Sequence, residues 1–299
     1  MKRIAAIFCS AAMTAAALTL PADAADLMTL RLGAEQTVIN TDDLASGDKM
    51  IKGGLYFDNY TGISKLRMIL RSDAPIQIEN GGFTLDPNGA LDSDGNVRHA
   101  LFEEHSEAMY TAKSTVDDDT NIIVWYGGHT DGVDPYYQNG VIRNAGSSFL
   151  SFDYRIPQGI KAGEYKCYVS EKVVTTESGM FVKDLTLSDE THQLEPNKEF
   201  ALQPVTFTVY TRGDLNCDGN ISTEDAQAAL VCYVQQDLAK KTLTDKEFSE
   251  IAKTKLVNPA RLAADASGDG ILDVKDAQGI LQYYVNSLAG NKPDWNTIF

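Results

Sequence analysis

Cysteine is scarce in this chain, and that excludes a cross-linked scaffold. Of the four cysteines in 299 residues, Cys9 falls in an N-terminal apolar stretch. Cys167, Cys217 and Cys232 are left, an odd number that builds no disulfide framework in an exported protein. They read as buried small apolar side chains, with a Cys217–Cys232 bridge as the alternative. Proline is thin too, and none of the nine gathers into a Pro/Thr/Ser-rich spacer. Positive charge is in deficit: 26 Lys and Arg stand against 42 Asp and Glu, a formal net charge of −16. A chain this acidic offers no basic face to nucleic acid or an anionic membrane. After residue 24 no apolar run is long enough to span a bilayer. Marks of catalysis are missing as well: no Gly-x-Ser-x-Gly, no metal-protease helix, no carboxylate pair in a recognisable acid–base setting. His99, His105, His129 and His192 have no metal-binding spacing with the cysteines.

What is present falls into three parts. Residues 1–24 read as an export signal, with Lys2 and Arg3 ahead of an Ala-rich apolar run and Ala22-Asp23-Ala24 as the cleavage site. Cys9 has too short an apolar run before it for lipidation. The mature chain is expected to start at Ala25 and to be secreted and extracellular. With no sorting tail expected, attachment to a cell surface would go through a partner.

Residues 25–210 read as β structure. Leu66, Met68 and Leu70 alternate with Lys65, Arg67 and Arg71; Leu150, Phe152, Tyr154 and Ile156 with Ser151, Asp153 and Arg155; and Tyr165, Cys167 and Val169 with Lys166 and Tyr168. Val205, Phe207 and Val209 alternate with threonines. Period two with one polar face is the half-buried strand of a sandwich. Residues 122–126 are apolar throughout, which predicts a central strand. Turn signals at Gly81-Gly82, Asp94-Gly95 and Gly127-Gly128 punctuate the pattern. Roughly nine strands fit, so the fold class is an all-β jelly-roll sandwich, with a short helix expected over 101–110. Asp92, Asp94, Asn96 and Glu103 imitate a cation loop, but Val97 stands where Gly is needed, so this is a hairpin turn. Asp117-Asp118-Asp119 is a solvated turn.

Residues 211–299 read as a small all-α module, and they carry the sharpest signal. Two acidic loops start 51 residues apart, at Asp214 and Asp265. The first sets out Asp214, Asn216, Asp218, Asn220, Ser222 and Asp225; the second Asp265, Ser267, Asp269, Ile271, Asp273 and Asp276. Oxygen side chains fall at positions 1, 3, 5, 9 and 12, Gly at 6, and position 7 offers its carbonyl. That is the rhythm of a twelve-residue calcium loop, except that Asp replaces the usual Glu at position 12. Ser222 would ligate directly or through water. Two Ca2+ ions are expected, one per loop. Each loop runs into the same helix: Ala226, Leu230, Tyr233 and Val234 recur as Ala277, Leu281, Tyr284 and Val285. The insert over 238–262 predicts one or two further helices, from a Thr244/Glu247 capping box and from Asn258 capping ahead of Pro259. Only Thr211, Arg212 and Gly213 join the last predicted strand to the first ligand.

The pair of loop–helix units, two F-hand repeats, resembles a dockerin, the docking module of cellulosome components. The resemblance implies that loop positions 10, 11, 17 and 18 touch a partner cohesin: Thr223, Glu224, Leu230 and Val231 in repeat one, and Val274, Lys275, Leu281 and Gln282 in repeat two. Leu230 and Leu281 read equally well as core. The two sets differ in charge, so the faces take different partners or only one is used. The long insert departs from the compact dockerin pattern. By strand order and size, 25–210 is similar to a cohesin, the β-sandwich receptor of dockerins. Together the two resemblances imply a non-catalytic adaptor scaffoldin, like the single-cohesin, single-dockerin adaptors of gut-bacterial cellulosomes. Its sandwich would receive dockerin-bearing proteins and its own dockerin would enter a scaffoldin cohesin. The alternative is a dockerin-borne carbohydrate-binding module using Trp125, Tyr126, Tyr136 and Tyr137, or, less well supported, an enzyme acting on glycosides.

Overall fold

The computed structural model describes residues 27–59, 65–83, 106–114, 120–128, 148–175, 179, 181–189 and 192–299. The expectations for 1–24, for the 92–103 turn, for 117–119 and for Tyr136 and Tyr137 lie outside the described residues. The strands are β1 (Met28–Ala34), β2 (Val38–Asn40), β3 (Lys49–Asp58), β4 (Lys65–Ser72), β5 (Gln77–Phe83), β6 (Ser106–Ser114) and β7 (Thr120–Gly128). They continue as β8 (Ser148–Ile156), β9 (Gly163–Val169), β10 (Val173–Thr175), β11 (Phe181–Lys183), β12 (Thr186–Ser188), β13 (Phe200–Gln203) and β14 (Val205–Tyr210). Helices follow: α1 (Thr223–Tyr233), α2 (Asp245–Ala252), α3 (Val257–Ala264), α4 (Val274–Leu288) and α5 (Trp295–Ile298).

Two sheets form a β sandwich. One runs β13-β1-β3-β8-β5; the other runs β2-β14-β9-β4-β7-β6, with β12 on β4. The period-two pattern explains the core between them. Leu150, Phe152, Tyr154 and Ile156 of β8 face inward, as do Val205, Phe207 and Val209 of β14. The Tyr154 ring meets Phe152 edge-on at 5.1 Å and Phe207 of the opposite sheet at 4.9 Å. Room for that ring comes from β3, where a Cβ on Gly53 would stand 2.2 Å from Tyr154 Cε2. The strand expected at 122–126 is internal, between β4 and β6. More strands form than the pattern predicts, because 3- to 4-residue pieces such as β2, β12 and β13 are added to the sheets.

The helix expected over 101–110 is not formed where the chain is described: residues 106–110 belong to β6. Glu103, Glu104 and Glu107 give a helix-like pattern, but the backbone of β6 pairs with β7, Ala108 opposite Tyr126 and Tyr110 opposite Val124. A nine-residue ladder outweighs a local preference of that size.

The C-terminal part is a helical module with its own core. Small side chains dominate it: Ala226, Ala229, Cys232, Ala252, Ala260, Ala264 and Ala277 surround Phe248, Ile280 and Trp295. Short side chains let α1 lie against α4. Cys167 and Cys232 are buried, Cys217 is half-buried, and all three are free thiols, so no Cys217–Cys232 bridge forms. Burial pushes the Cys232 thiol up to about 11, which keeps it protonated and unreactive.

The insert folds as two helices. At the start of α2 the Thr244 hydroxyl accepts from the Glu247 amide at 3.3 Å, and the Glu247 carboxylate accepts from the Thr244 amide at 3.0 Å, the expected capping box. Helix α3 starts differently from expectation. Its cap is Leu256, without a side-chain bond, and Asn258 lies inside the helix. The Asn258 amide donates instead to Glu164 Oε1 of β9 at 2.7 Å. A tertiary partner has taken the side chain that the sequence offers as a cap.

The junction is tight. Thr41 Oγ1 donates to Thr211 Oγ1 at 3.0 Å, and Arg212 stands 3.9 Å from Asp42. The Gly213 amide donates to the Ala263 carbonyl at 2.9 Å. Trp295 folds back over this point, stacked on Tyr283 at 4.3 Å and on Phe299 at 6.0 Å, with the Arg212 guanidinium 5.8 Å from its ring. A Cβ on Gly213 would meet Trp295 at 2.8 Å, and its φ of +82° suits glycine alone.

Candidate functional site

The two acidic loops share most of one hydrogen-bond scheme, and differ in the second bond of position 1, where Asp214 Oδ1 takes the Asp218 amide at 3.2 Å and Asp265 Oδ1 the Gly268 amide at 2.9 Å. At position 1, Asp214 accepts from the Gly219 amide at 2.9 Å and Asp265 from the Gly270 amide at 2.9 Å. At position 3, Asn216 Oδ1 accepts from the Asp218 amide at 2.9 Å, and Ser267 Oγ from the Asp269 amide at 3.4 Å. At position 5, Asp218 accepts from the Asn220 amide at 2.8 Å and Asp269 from the Ile271 amide at 2.9 Å. At position 12, Asp225 takes the amides of Asn216 and Ser222 at 3.1 and 2.9 Å. Asp276 takes those of Ser267 and Asp273, both at 2.8 Å.

Position 9 caps the helix that each loop opens. Ser222 Oγ accepts from the Glu224 amide at 3.1 Å, and Asp273 Oδ1 from the Lys275 amide at 2.6 Å. Position 12 returns the favour as the third residue of a capping box in both repeats. One carboxylate therefore ties the loop's start to the helix's first turn, so loop shape and helix start are mechanically joined.

The electrostatics of this scheme are unbalanced. Asp214, Asp225 and Asp276 are fully buried. Among the described residues no Lys, Arg or His pairs with a carboxylate at a ligand position; the loop's one ion pair, Glu224–Lys253, is at position 11. Burial pushes the Asp214 carboxyl up to about 6, helped by the charges of Asp225 and Asp218 and opposed by the Gly219 amide. Asp276 is raised by burial as well, against the amides of Asp273 and Ser267. Among the described residues no three His, Cys, Asp or Glu side chains converge as a metal cluster. Any ion here must therefore also draw on neutral oxygens: Asn216, Ser222, Ser267 and the carbonyls of Asn220 and Ile271.

The eight residues expected to meet a partner are all exposed: Thr223, Glu224, Leu230, Val231, Val274, Lys275, Leu281 and Gln282. Leu230 and Leu281 had an alternative reading as core; at 43 % and 45 % exposure they are surface residues. The core positions beside them belong to Ala229 and Ile280. Val234 and Val285 extend each stripe one turn further. The two faces are not equivalent. Glu224 is ion-paired with Lys253 of the insert at 3.3 Å, whereas Lys275 has no acidic partner among the described residues. Sequence reading missed Lys253 and the Arg212–Gly213–Trp295 contact. The usable signals were the tail aromatics Trp295 and Phe299 and an Arg-Gly pair directly before the first loop.

His192 is the one of the four histidines within the described residues, and it is exposed, 2.7 Å from Glu199. Trp125 lies in β7, its backbone paired with Arg67 and Met109.

No family model and no curated protein matches this chain. Solved structures that do resemble it are cohesin domains. One is the cohesin CaCohA2 from Clostridium acetobutylicum, 14 % identical over 61 % of this chain and 92 % of that one, with a TM-score of 0.36. A cohesin–dockerin complex of type I from Clostridium thermocellum gives 13 % identity, 61 % and 94 % coverage and a TM-score of 0.37. A non-cellulosomal cohesin from the archaeon Archaeoglobus fulgidus gives 11 %, 61 %, 91 % and 0.35. These scores record a likeness and do not assign the chain to a family.

Proposed function

We propose that the chain is a non-catalytic, secreted adaptor of a cellulosome-like assembly. Residues 25–210 act as a cohesin-like receptor for dockerin-bearing proteins, and residues 211–299 as a dockerin that binds two Ca2+ ions and enters the cohesin of another scaffoldin. The observation that carries the reading is that positions 1, 3, 5 and 12 of the two loops accept corresponding amides; the loops part where Asp214 Oδ1 takes the Asp218 amide and Asp265 Oδ1 the Gly268 amide. Two stretches with different residues at positions 3, 7 and 9 hold most of their oxygens by the same amides.

The donor set suits a hard cation. Each ionised carboxylate has about four lone-pair sites, and the amides occupy only one or two of them. Three buried carboxylates without a cation cost several kcal/mol each, by the general rule for unpaired buried charge. Ca2+ accepts six to eight oxygens and would offset that cost, whereas a transition metal would look for nitrogen or sulfur. Asp214, Asn216, Asp218, Asn220, Ser222 and Asp225 would hold one ion; Asp265, Ser267, Asp269, Ile271, Asp273 and Asp276 the other. An ion so held would fix the first turns of α1 and α4, whose exposed stripes are the surface offered to a partner.

Calorimetric titration of the chelator-stripped full chain with Ca2+ tests the metal half of the reading. Two sites are expected, reduced to one by either Asp214→Ala or Asp265→Ala. The other half is tested by immobilising the full chain. In calcium it should retain secreted proteins that carry duplicated loop–helix modules, and it should not adhere to cellulose or xylan. Absence of calcium heat, or adhesion to polysaccharide alone, would reject the adaptor. The carbohydrate-binding alternative gains no support from the described residues.

A further inference from the structure

We propose that calcium also fastens the helical module to the β2–β14–β9 edge of the sandwich, so that the chain presents its two halves at one fixed angle. This rests on the calcium reading above and goes beyond it, because independent modules on a short tether would bind partners equally well.

Both loops begin at the junction. Gly213, immediately before Asp214, donates its amide to the carbonyl of Ala263, two residues before Asp265. The entry to one loop is thereby hydrogen-bonded to the entry to the other. From this point three struts reach the sandwich. Thr211 takes the hydroxyl of Thr41, beyond the end of β2. Arg212 lies between Asp42 and the Trp295 ring, at 3.9 and 5.8 Å. Asn258 of α3 bonds Glu164 of β9 at 2.7 Å. Their sandwich ends fall on the turn that follows β2 and on β9; β2 and β9 flank β14 in one sheet. β14 itself runs straight into the first loop.

Each strut is a surface hydrogen bond or ion pair and is weak alone. Together they hold only while Gly213, Ala263 and Trp295 keep their places. Closing the loops around ions fixes the first two positions and the start of α4, which carries Tyr283 beneath Trp295. Opening the loops by mutual repulsion of the carboxylates would free the struts at once.

Hydrogen exchange of the full chain, in calcium and in EGTA, tests this. Calcium should slow exchange at residues 38–44 and 205–210 by about tenfold or more, as expected when local opening is suppressed. β3 and β8 of the other sheet should be unaffected. In the double variant Arg212→Ala/Asn258→Ala the loops 214–225 and 265–276 should keep their calcium protection while the edge loses it. Protection of the loops without any change at the edge in the parent chain would overturn the coupling and leave the calcium sites standing. Edge protection that persists in the double variant would overturn the struts as its route. Loops indifferent to calcium would bring down both readings.

Discussion

The sandwich and the helical module are built on opposite terms. The sandwich buries large side chains face to face: Phe57, Phe152, Tyr154, Phe200 and Phe207 with a surround of Leu and Ile. Area removed from water stabilises it, with or without a ligand. The helical module buries mainly alanines, which contribute little area each, and it also buries Asp214, Asp225 and Asp276. A fold that spends its interior on carboxylates and small side chains is marginal until something neutralises those charges. The contrast teaches that one chain can join a half held by apolar area to a half that buries carboxylates across only three residues.

Chelation is the most direct way to break the comparison. Filling a site at a thousandfold excess over its dissociation constant adds about 4 kcal/mol, and the proposed adaptor has two sites to fill. EGTA should abolish most of the helical circular dichroism at 222 nm while β signal persists, with exchange faster at the β2–β14 edge. A helical signal indifferent to EGTA would show the two halves to be alike after all. Next in size is Trp295→Ala. Trp295 is 6 % exposed and is, with Phe248, one of the two buried large aromatic side chains in a core rich in alanines. Its loss should cost the helical module about 3–5 kcal/mol, the range for large aromatic truncations. Thermal unfolding in calcium should then split into an early helical step and an unchanged sandwich step.

The two halves also differed in how openly the sequence spoke. In the helical module the spacing of the loops and the Thr244/Glu247 capping box of the insert could be read directly, since both are local; the capping boxes of the repeats and the exposure of Leu230 and Leu281 came only from the structure. In the sandwich the long strands were legible from alternation at 150–156 and 205–209, again a local signal. Non-local partners hid the rest. Helical-looking 106–110 became β6 because β7 pairs with it, and Asn258 left its capping role for Glu164, 94 residues away. Trp295 gave no local hint of Gly213, because only the fold brings the tail to the junction.

Tyr154→Phe sharpens the comparison from the sandwich side. The Tyr154 hydroxyl is buried without a hydrogen-bond partner among the described residues. A core held by apolar area should gain from losing it, by about 1 kcal/mol, the lower end of the cost of an unsatisfied buried polar group. The urea midpoint of the sandwich step should rise and that of the helical step should not. A fall would mean that the hydroxyl has a partner and that polar bonds matter to this core too.

The smallest effect comes from Glu247, where a charge is placed on the surface rather than in the interior. Lys241 first, then the Thr244 amide and hydroxyl, hold its carboxyl down to about 2. A folded-state value below the ordinary one means that the ionised form favours the fold. The contribution is complete above the ordinary glutamate value near 4.5 and is lost as pH falls from there towards 2. Parent and Glu247→Gln should therefore differ slightly in the helical melting step at neutral pH in calcium, and the difference should shrink below pH 4.5. Glu247 is not a loop ligand, so the same difference should appear at saturating and at tenfold lower calcium. If it changed with calcium, the insert's cap would be linked to ion binding. The helical module would then depend on its ions through its helix starts as well as through its buried carboxylates.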